Sequence, residues 1–112
     1  MKLITAIIKP FKLDEVRQAV ADIGIQGVTV TEIHGYGREP GRRVGHRGAE
    51  YAVGSMPRAK IELAVDDAIA EQVMEAVCNV ARTGQNGDGK VWMLELAQAL
   101  RVRTGETGPD AI

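Results

Sequence analysis

The sequence predicts an α+β fold of the ferredoxin-like kind: a double βαβ sandwich in which an antiparallel sheet carries two helices on one face. Three observations predict it. Two strand-helix-strand patterns follow one another, a long glycine-rich stretch separates them, and 112 residues suffice for a single core, so that residues 1–112 are read as one domain. The composition agrees, at 45% hydrophobic, 26% charged and 4% aromatic, which excludes disordered, collagenous and membrane classes. Fourteen Lys and Arg against fifteen Asp and Glu leave a net charge of -1, so no global field favours nucleic acid and any polyanion site must be built locally.

Residues 3–8, Leu-Ile-Thr-Ala-Ile-Ile, are short, β-branched and closed by Lys9-Pro10, which makes them a strand. They are too short for the apolar region of a signal peptide, and no stretch is long enough to span a bilayer, so a cytoplasmic protein with no membrane insertion is expected. Residues 14–23 place Val16, Ala19, Val20 and Ile23 at helical spacing, with acidic residues in the first turn and Gly24 past the end. Residues 28–34 alternate again and predict a second strand. Residues 35–56 hold no sustained period, six glycines and Pro40, and read as a long loop, its partner-binding part at about 37–56. Residues 59–65 alternate as a strand, and residues 67–81 carry Ile69, Val73, Val77 and Val80 on one helical face with Asp66 or Asp67 as cap. A glycine-rich turn at 83–90 leads into a strand at 91–95, with a short helical turn expected at 96–100 and an extended piece at 101–103. The side of the sheet away from the helices, on which Leu3, Thr5, Ile7, Val28, Val30, Ile61 and Leu63 supply apolar candidates, needs cover, most simply by a second copy of the chain.

Gly84-Gln85-Asn86-Gly87-Asp88-Gly89-Lys90 can turn backbone N–H groups toward an anion while Lys90 supplies charge. It is not the usual phosphate loop, because a strand and not a helix follows, and an ordinary glycine-rich turn is the alternative. Arg101 and Arg103 on an extended segment would share one face, where an anion would relieve their repulsion, unless the segment is a solvated edge. With Lys90, Arg38 and Arg47 they could cradle a nucleotide triphosphate. His34 and His46 have no Cys or paired carboxylates at ligand spacing, and Ser55 has no base, so neither zinc chemistry nor a nucleophilic triad is suggested. Cys78 reads as a small buried hydrophobe, as befits a reducing compartment, and Trp92 as core; Tyr51 is either packed on the sheet or displayed.

Ile7-Ile8-Lys9-Pro10-Phe11-Lys12-Leu13-Asp14-Glu15-Val16, Thr29-Val30-Thr31-Glu32, Arg47-Gly48-Ala49-Glu50-Tyr51, Gly87-Asp88-Gly89-Lys90 and Arg101-Val102-Arg103-Thr104-Gly105-Glu106 resemble the PII nitrogen-regulatory signal proteins over essentially the whole chain. The resemblance implies a homotrimer that is no metabolic enzyme. It implies ATP or ADP bound in clefts between subunits, with 2-oxoglutarate beside MgATP, and a long loop that reports ligand state. The targets it implies are an ammonium transporter, a uridylyltransferase or a nitrogen-regulatory kinase.

Residue by residue, the resemblance implies that Gly87, Asp88, Gly89, Lys90, Arg101, Arg103, Arg38 and Arg47 serve the phosphates, and that Gly27, Thr29, Gly35, Glu62 and Ala64 surround adenine and ribose. Gly37, Glu39, Gly41 and Arg58 would serve 2-oxoglutarate, Glu39 also Mg2+, and Tyr51 would be the site of uridylylation. Ala49 replaces the serine that some members phosphorylate. Glu39 stands where the family usually has Gln, Arg58 where it has Lys, His46 where Tyr is common and Gln85 where Lys is common. These departures define the alternative, a divergent paralogue regulating a transporter or carbon-metabolism system in response to nucleotide and another small anion, or a weak ATPase.

Overall fold

The computed structural model describes residues 1–38 and 53–112. Strand β1 (Lys2–Ile8) is followed by a 3-10 turn (Pro10–Lys12) and helix α1 (Leu13–Ile23), then by strands β2 (Thr29–Arg38) and β3 (Val53–Val65). Helix α2 (Asp67–Ala81), strand β4 (Gly89–Glu95) and a second 3-10 turn (Gly108–Ala111) complete the chain. The sheet order is β2-β3-β1-β4 and every pairing is antiparallel, as a double βαβ requires.

Alternation along the central strands decides which side the helices cover. Ile4, Ala6 and Ile8 of β1 and Ile61, Leu63 and Val65 of β3 are buried with Val16 and Val20 of α1 and Ala70, Val73, Val77 and Ala81 of α2. The helix ends follow their own chemistry. The Asp66 carboxylate accepts the Ala68 N–H at 3.1 Å, capping α2, and Gly24 at φ 106° closes α1.

The opposite face carries Leu3, Thr5 and Ile7 of β1, Glu62 and Ala64 of β3, and Lys90, Trp92 and Leu94 of β4, since these share rungs with one another. Trp92 is therefore not core but 41% exposed, and Leu94 is 57% exposed. The apolar candidates for this face divide: Ile61 and Leu63 turn to the helices, Val30 pairs with Ile61 on that side, and Val28 packs against the core.

Four further expectations are corrected. The segment 35–56 is loop only in its middle, because Gly35↔Met56, Tyr36↔Ser55, Gly37↔Gly54 and Arg38↔Val53 continue the β2–β3 ladder. Backbone pairing needs no apolar period, and Tyr36 on this extension is 75% exposed, so no hydrophobic alternation marks it. Residues 96–100 form no helical turn: the Leu96 N–H donates to the Met1 carbonyl, and the Gln98 side chain accepts the N–H groups of Ala99 and Gly108. Residues 101–103 are not extended. A turn closes there, with the Gly105 N–H on the Arg101 carbonyl at 2.8 Å and the Arg101 N–H on the Glu106 carbonyl at 2.8 Å, and Gly105 takes φ 75°. The strand argument that put Arg101 and Arg103 on one face lapses with it. Cys78 is partly rather than fully buried.

Candidate functional site

At one end of the sheet, β4 begins where β1 ends, in the register Ile7↔Lys90 and Ile8↔Gly89. Gly84, Gly87 and Gly89 of the intervening loop have φ values of 84°, 84° and 112°, a region that costs L side chains strain. A Cβ on Gly89 would stand 1.7 Å from the Ile7 carbonyl oxygen. Only glycine lets the loop enter β4 this close to β1, and that approach sets Lys90 on the open face beside Ile7.

The loop is tied from within. The Asp88 carboxylate accepts the backbone N–H groups of Thr83 at 2.8 Å and Gly84 at 2.9 Å and the Thr83 hydroxyl, and the Lys9 ammonium lies 3.2 Å away. The Thr83 hydroxyl, then these N–H groups and Lys9, hold the Asp88 carboxyl well below the usual carboxylate range. One carboxylate oxygen faces the loop's own backbone, and the other faces the Thr83 hydroxyl and Lys9.

The loop borders an open groove of about 410 Å³, with Gly87, Gly89 and Lys90 on its side, Gly35, Gly37 and Arg58 contributed by β2 and β3, and Ile7 among the lining. The Arg58 guanidinium donates to the Pro57 carbonyl at 2.9 Å. A groove with Arg58 and Lys90 on its walls and glycine backbone at its edge offers cationic groups to a phosphate or carboxylate ligand.

A second groove, about 690 Å³, lies toward the other end of β3, where Gly27, Ala64 and Arg101 meet Pro109, Ala111 and Ile112 of the C-terminal turn. Thr29 and Glu62 face each other across the β2–β3 ladder, and Glu62 lies 3.6 Å from the Lys60 ammonium. The Arg101 guanidinium is 3.5 Å from Glu106, and Arg103 is exposed in the same turn.

The candidate residues thus fall into two sets that the chain keeps apart: Gly35, Gly37, Arg58, Gly87, Asp88, Gly89 and Lys90 in one, Gly27, Thr29, Glu62, Ala64, Arg101 and Arg103 in the other. Arg58 and Ala64 share a face of β3 six residues apart, roughly 20 Å of strand. Arg38 is the last residue of β2. Glu39, Gly41, Arg47 and Tyr51 lie outside the described residues. Sequence reasoning gave Lys9, Thr83 and Ile7 no place in the site, because their approach to the glycine loop depends on the β1–β4 register, which the sequence alone does not display.

Among the described residues no group of three or more His, Cys, Asp or Glu could hold a metal ion, and no helix is long and apolar enough to cross a membrane.

Comparison with known proteins adds kinship to this geometry. Residues 1–106 match the family model described as Nitrogen regulatory protein P-II. The chain is 54% identical to the nitrogen regulatory protein P-II of Rhodospirillum rubrum, 53% to that of Rhizobium etli and 49% to that of Haemophilus influenzae, each over the full length of both chains.

Proposed function

The chain belongs to the nitrogen regulatory protein P-II family, and from that premise we propose that it is an allosteric binding protein whose ATP or ADP sites form between the subunits of a homotrimer. The observation that carries this reading is the division of the candidate residues between two grooves. One groove offers glycine N–H groups, Lys90 and Arg58, the other Gly27, Ala64 and Arg101, and a single chain does not bring them to one ligand. A second copy packed on the open face, where Trp92 and Leu94 are exposed, supplies the complement.

In this arrangement Gly87, Gly89 and Lys90 of one subunit hold phosphate oxygens, helped by Arg38 and Arg47. Arg101 and Arg103 of a neighbour approach the same phosphates, and Gly27, Thr29, Gly35, Glu62 and Ala64 surround the base and sugar. Asp88 serves by holding the loop. Glu39 would hold Mg2+ brought with the triphosphate, a carboxylate being a donor type suited to a hard cation that would offset phosphate charge. Gly37, Gly41 and Arg58 would hold 2-oxoglutarate, with Arg58 pairing with a carboxylate. ATP and ADP compete, and the arrangement of residues 39–52 in each state selects the target: an ammonium transporter, a uridylyltransferase or a nitrogen-regulatory kinase. Uridylylation of Tyr51 adds a bulky anion that blocks docking. The relatives are named as regulatory proteins, and regulation without metabolic turnover, in the cytoplasm, is the role proposed here.

Calorimetric titration of ATP tests the reading. Lys90→Ala is expected to lose one charge-assisted contact, about 1.5–3 kcal/mol. Titration heats identical to wild type would remove Lys90 from the site. In MgATP-saturated protein, Glu39→Gln is expected to tighten 2-oxoglutarate, because it removes a negative charge beside a dianion; equal affinity in both proteins would mean that residue 39 does not face that ligand.

A further inference from the structure

Lys9 has no part in either groove, yet its ammonium reaches the glycine loop. The β1–β4 ladder runs Ile7↔Lys90 and Ile8↔Gly89, so one more rung would set residue 9 opposite residue 88. The chain cannot extend it: Pro10 opens a 3-10 turn, and the Lys12 N–H donates to the Lys9 carbonyl at 3.0 Å. The side chains make the next rung instead. Lys9 Nζ lies 3.2 Å from Asp88 Oδ1 and 3.4 Å from Thr83 Oγ1, and the two charged side chains are 17% and 23% exposed. The other Asp88 oxygen takes the N–H groups of Thr83 and Gly84.

Charge explains what this rung does for the groove. Asp88 and Lys90 are two residues apart, so the loop alone carries one negative and one positive charge and offers an anion no net attraction. A lysine on Asp88 restores a net positive loop, and it occupies the carboxylate that Lys90 would otherwise be drawn toward. We propose that Lys9 is a positioning residue for the phosphate-facing loop: paired with Asp88, it keeps that carboxylate turned into the loop backbone and leaves Lys90 to the groove. This deepens the reading of the loop as a phosphate site and rests on it.

The test titrates ATP into the full chain as wild type, Lys9→Met, Lys9→Arg and Lys90→Ala, with amide exchange followed at Thr83 and Gly84. Lys9→Met is expected to weaken ATP roughly tenfold, the scale of one charge-assisted contact, and to speed exchange at both amides. Lys9→Arg, which keeps the charge, is expected to restore affinity to within about twofold of wild type. Lys9→Gln, with no charge but a donor for Asp88, gives a second neutral variant should Lys9→Met fail to fold, and is expected to weaken ATP likewise. If the neutral variants bind like wild type while Lys90→Ala does not, the role of Lys9 is overturned and the phosphate site stands. If Lys9→Arg loses as much affinity as Lys9→Met, residue 9 acts only through packing and the proposal also fails. Wild-type protein that does not bind ATP would overturn the phosphate site and this inference with it.

Discussion

Alanine at position 89 meets two obstacles at once, a positive φ of 112° and a carbonyl oxygen 1.7 Å from its Cβ. Strain and overpacking of this kind cost about 2–5 kcal/mol together, and urea unfolding of Gly89→Ala is expected to show a loss of that size. A loss under about 1 kcal/mol would mean that β4 can back away from β1 freely. Two residues from Lys90, Asp88 makes a prediction in pH. Its folded carboxyl is held below its ordinary range, first by the Thr83 hydroxyl, so its contribution to stability is fully present above the unfolded value of about 3.9 and is lost as pH falls below it. Asp88→Asn is therefore expected to flatten the acid limb of the stability curve while keeping the loss of stability it causes at neutral pH. An acid limb as steep as wild type would exclude Asp88 as one of the groups that set it. At this scale the sequence was informative about which residues matter in the glycine loop and silent about how. Glycine spacing is visible in a string, whereas the contact of Gly89 with Ile7 and of Asp88 with Lys9 depends on a register between strands eighty residues apart.

Elements that bury a face were legible, and elements that bury none were not. Helix α2 announced itself through Val73 and Val77, both fully buried, and through the Asp66 cap. Asp66→Ala is expected to cost about 1 kcal/mol in thermal or urea unfolding, and Ile61→Ala, at the centre of the core, about 2–5 kcal/mol. Comparable losses at the two sites would contradict the partition between core and cap. The outer rungs of β2 and β3 escaped notice because Gly35, Gly37 and Gly54 leave them no apolar alternation, and the turn at 101–105 because its Arg-Val-Arg alternation imitates a strand. Gly89 also acts on the element as a whole. A one-residue slip of β4 against β1 would bring Asp88 or Lys90 to a place that admits no Cβ, so the close approach fixes the register and, with it, which β4 side chains reach the open face.

On the scale of the molecule, the proposed homotrimer would tie ATP binding to assembly, because the candidate residues are split between two grooves. Leu94→Glu, on the open face, is expected to shift sedimentation toward the monomer and to weaken ATP in parallel, since both follow from burial of that face. A monomeric variant with undiminished ATP affinity would show that one chain holds the nucleotide alone. The open face was only partly legible: Leu3 and Ile7 were placed on it correctly, but Ile61 and Leu63 belong to the helix side, because alternation tells two faces apart without saying which one the helices take.

The first groove has walls of unequal stiffness. Gly87, Gly89 and Lys90 are fastened to β1 and to Asp88, but Gly35, Gly37 and Met56 stand on a ladder of two strands that runs past the last β1 rung at Ile8↔Ala59. Ribbons of two strands without a third are only marginally stable in water. An anion that bridges the two walls therefore transfers order from the fixed wall to the ribbon, and by reciprocity anything that grips the ribbon raises affinity in the groove. Amide protection should accordingly decline from Ile33 toward Arg38 in the free protein and level out when the groove is filled.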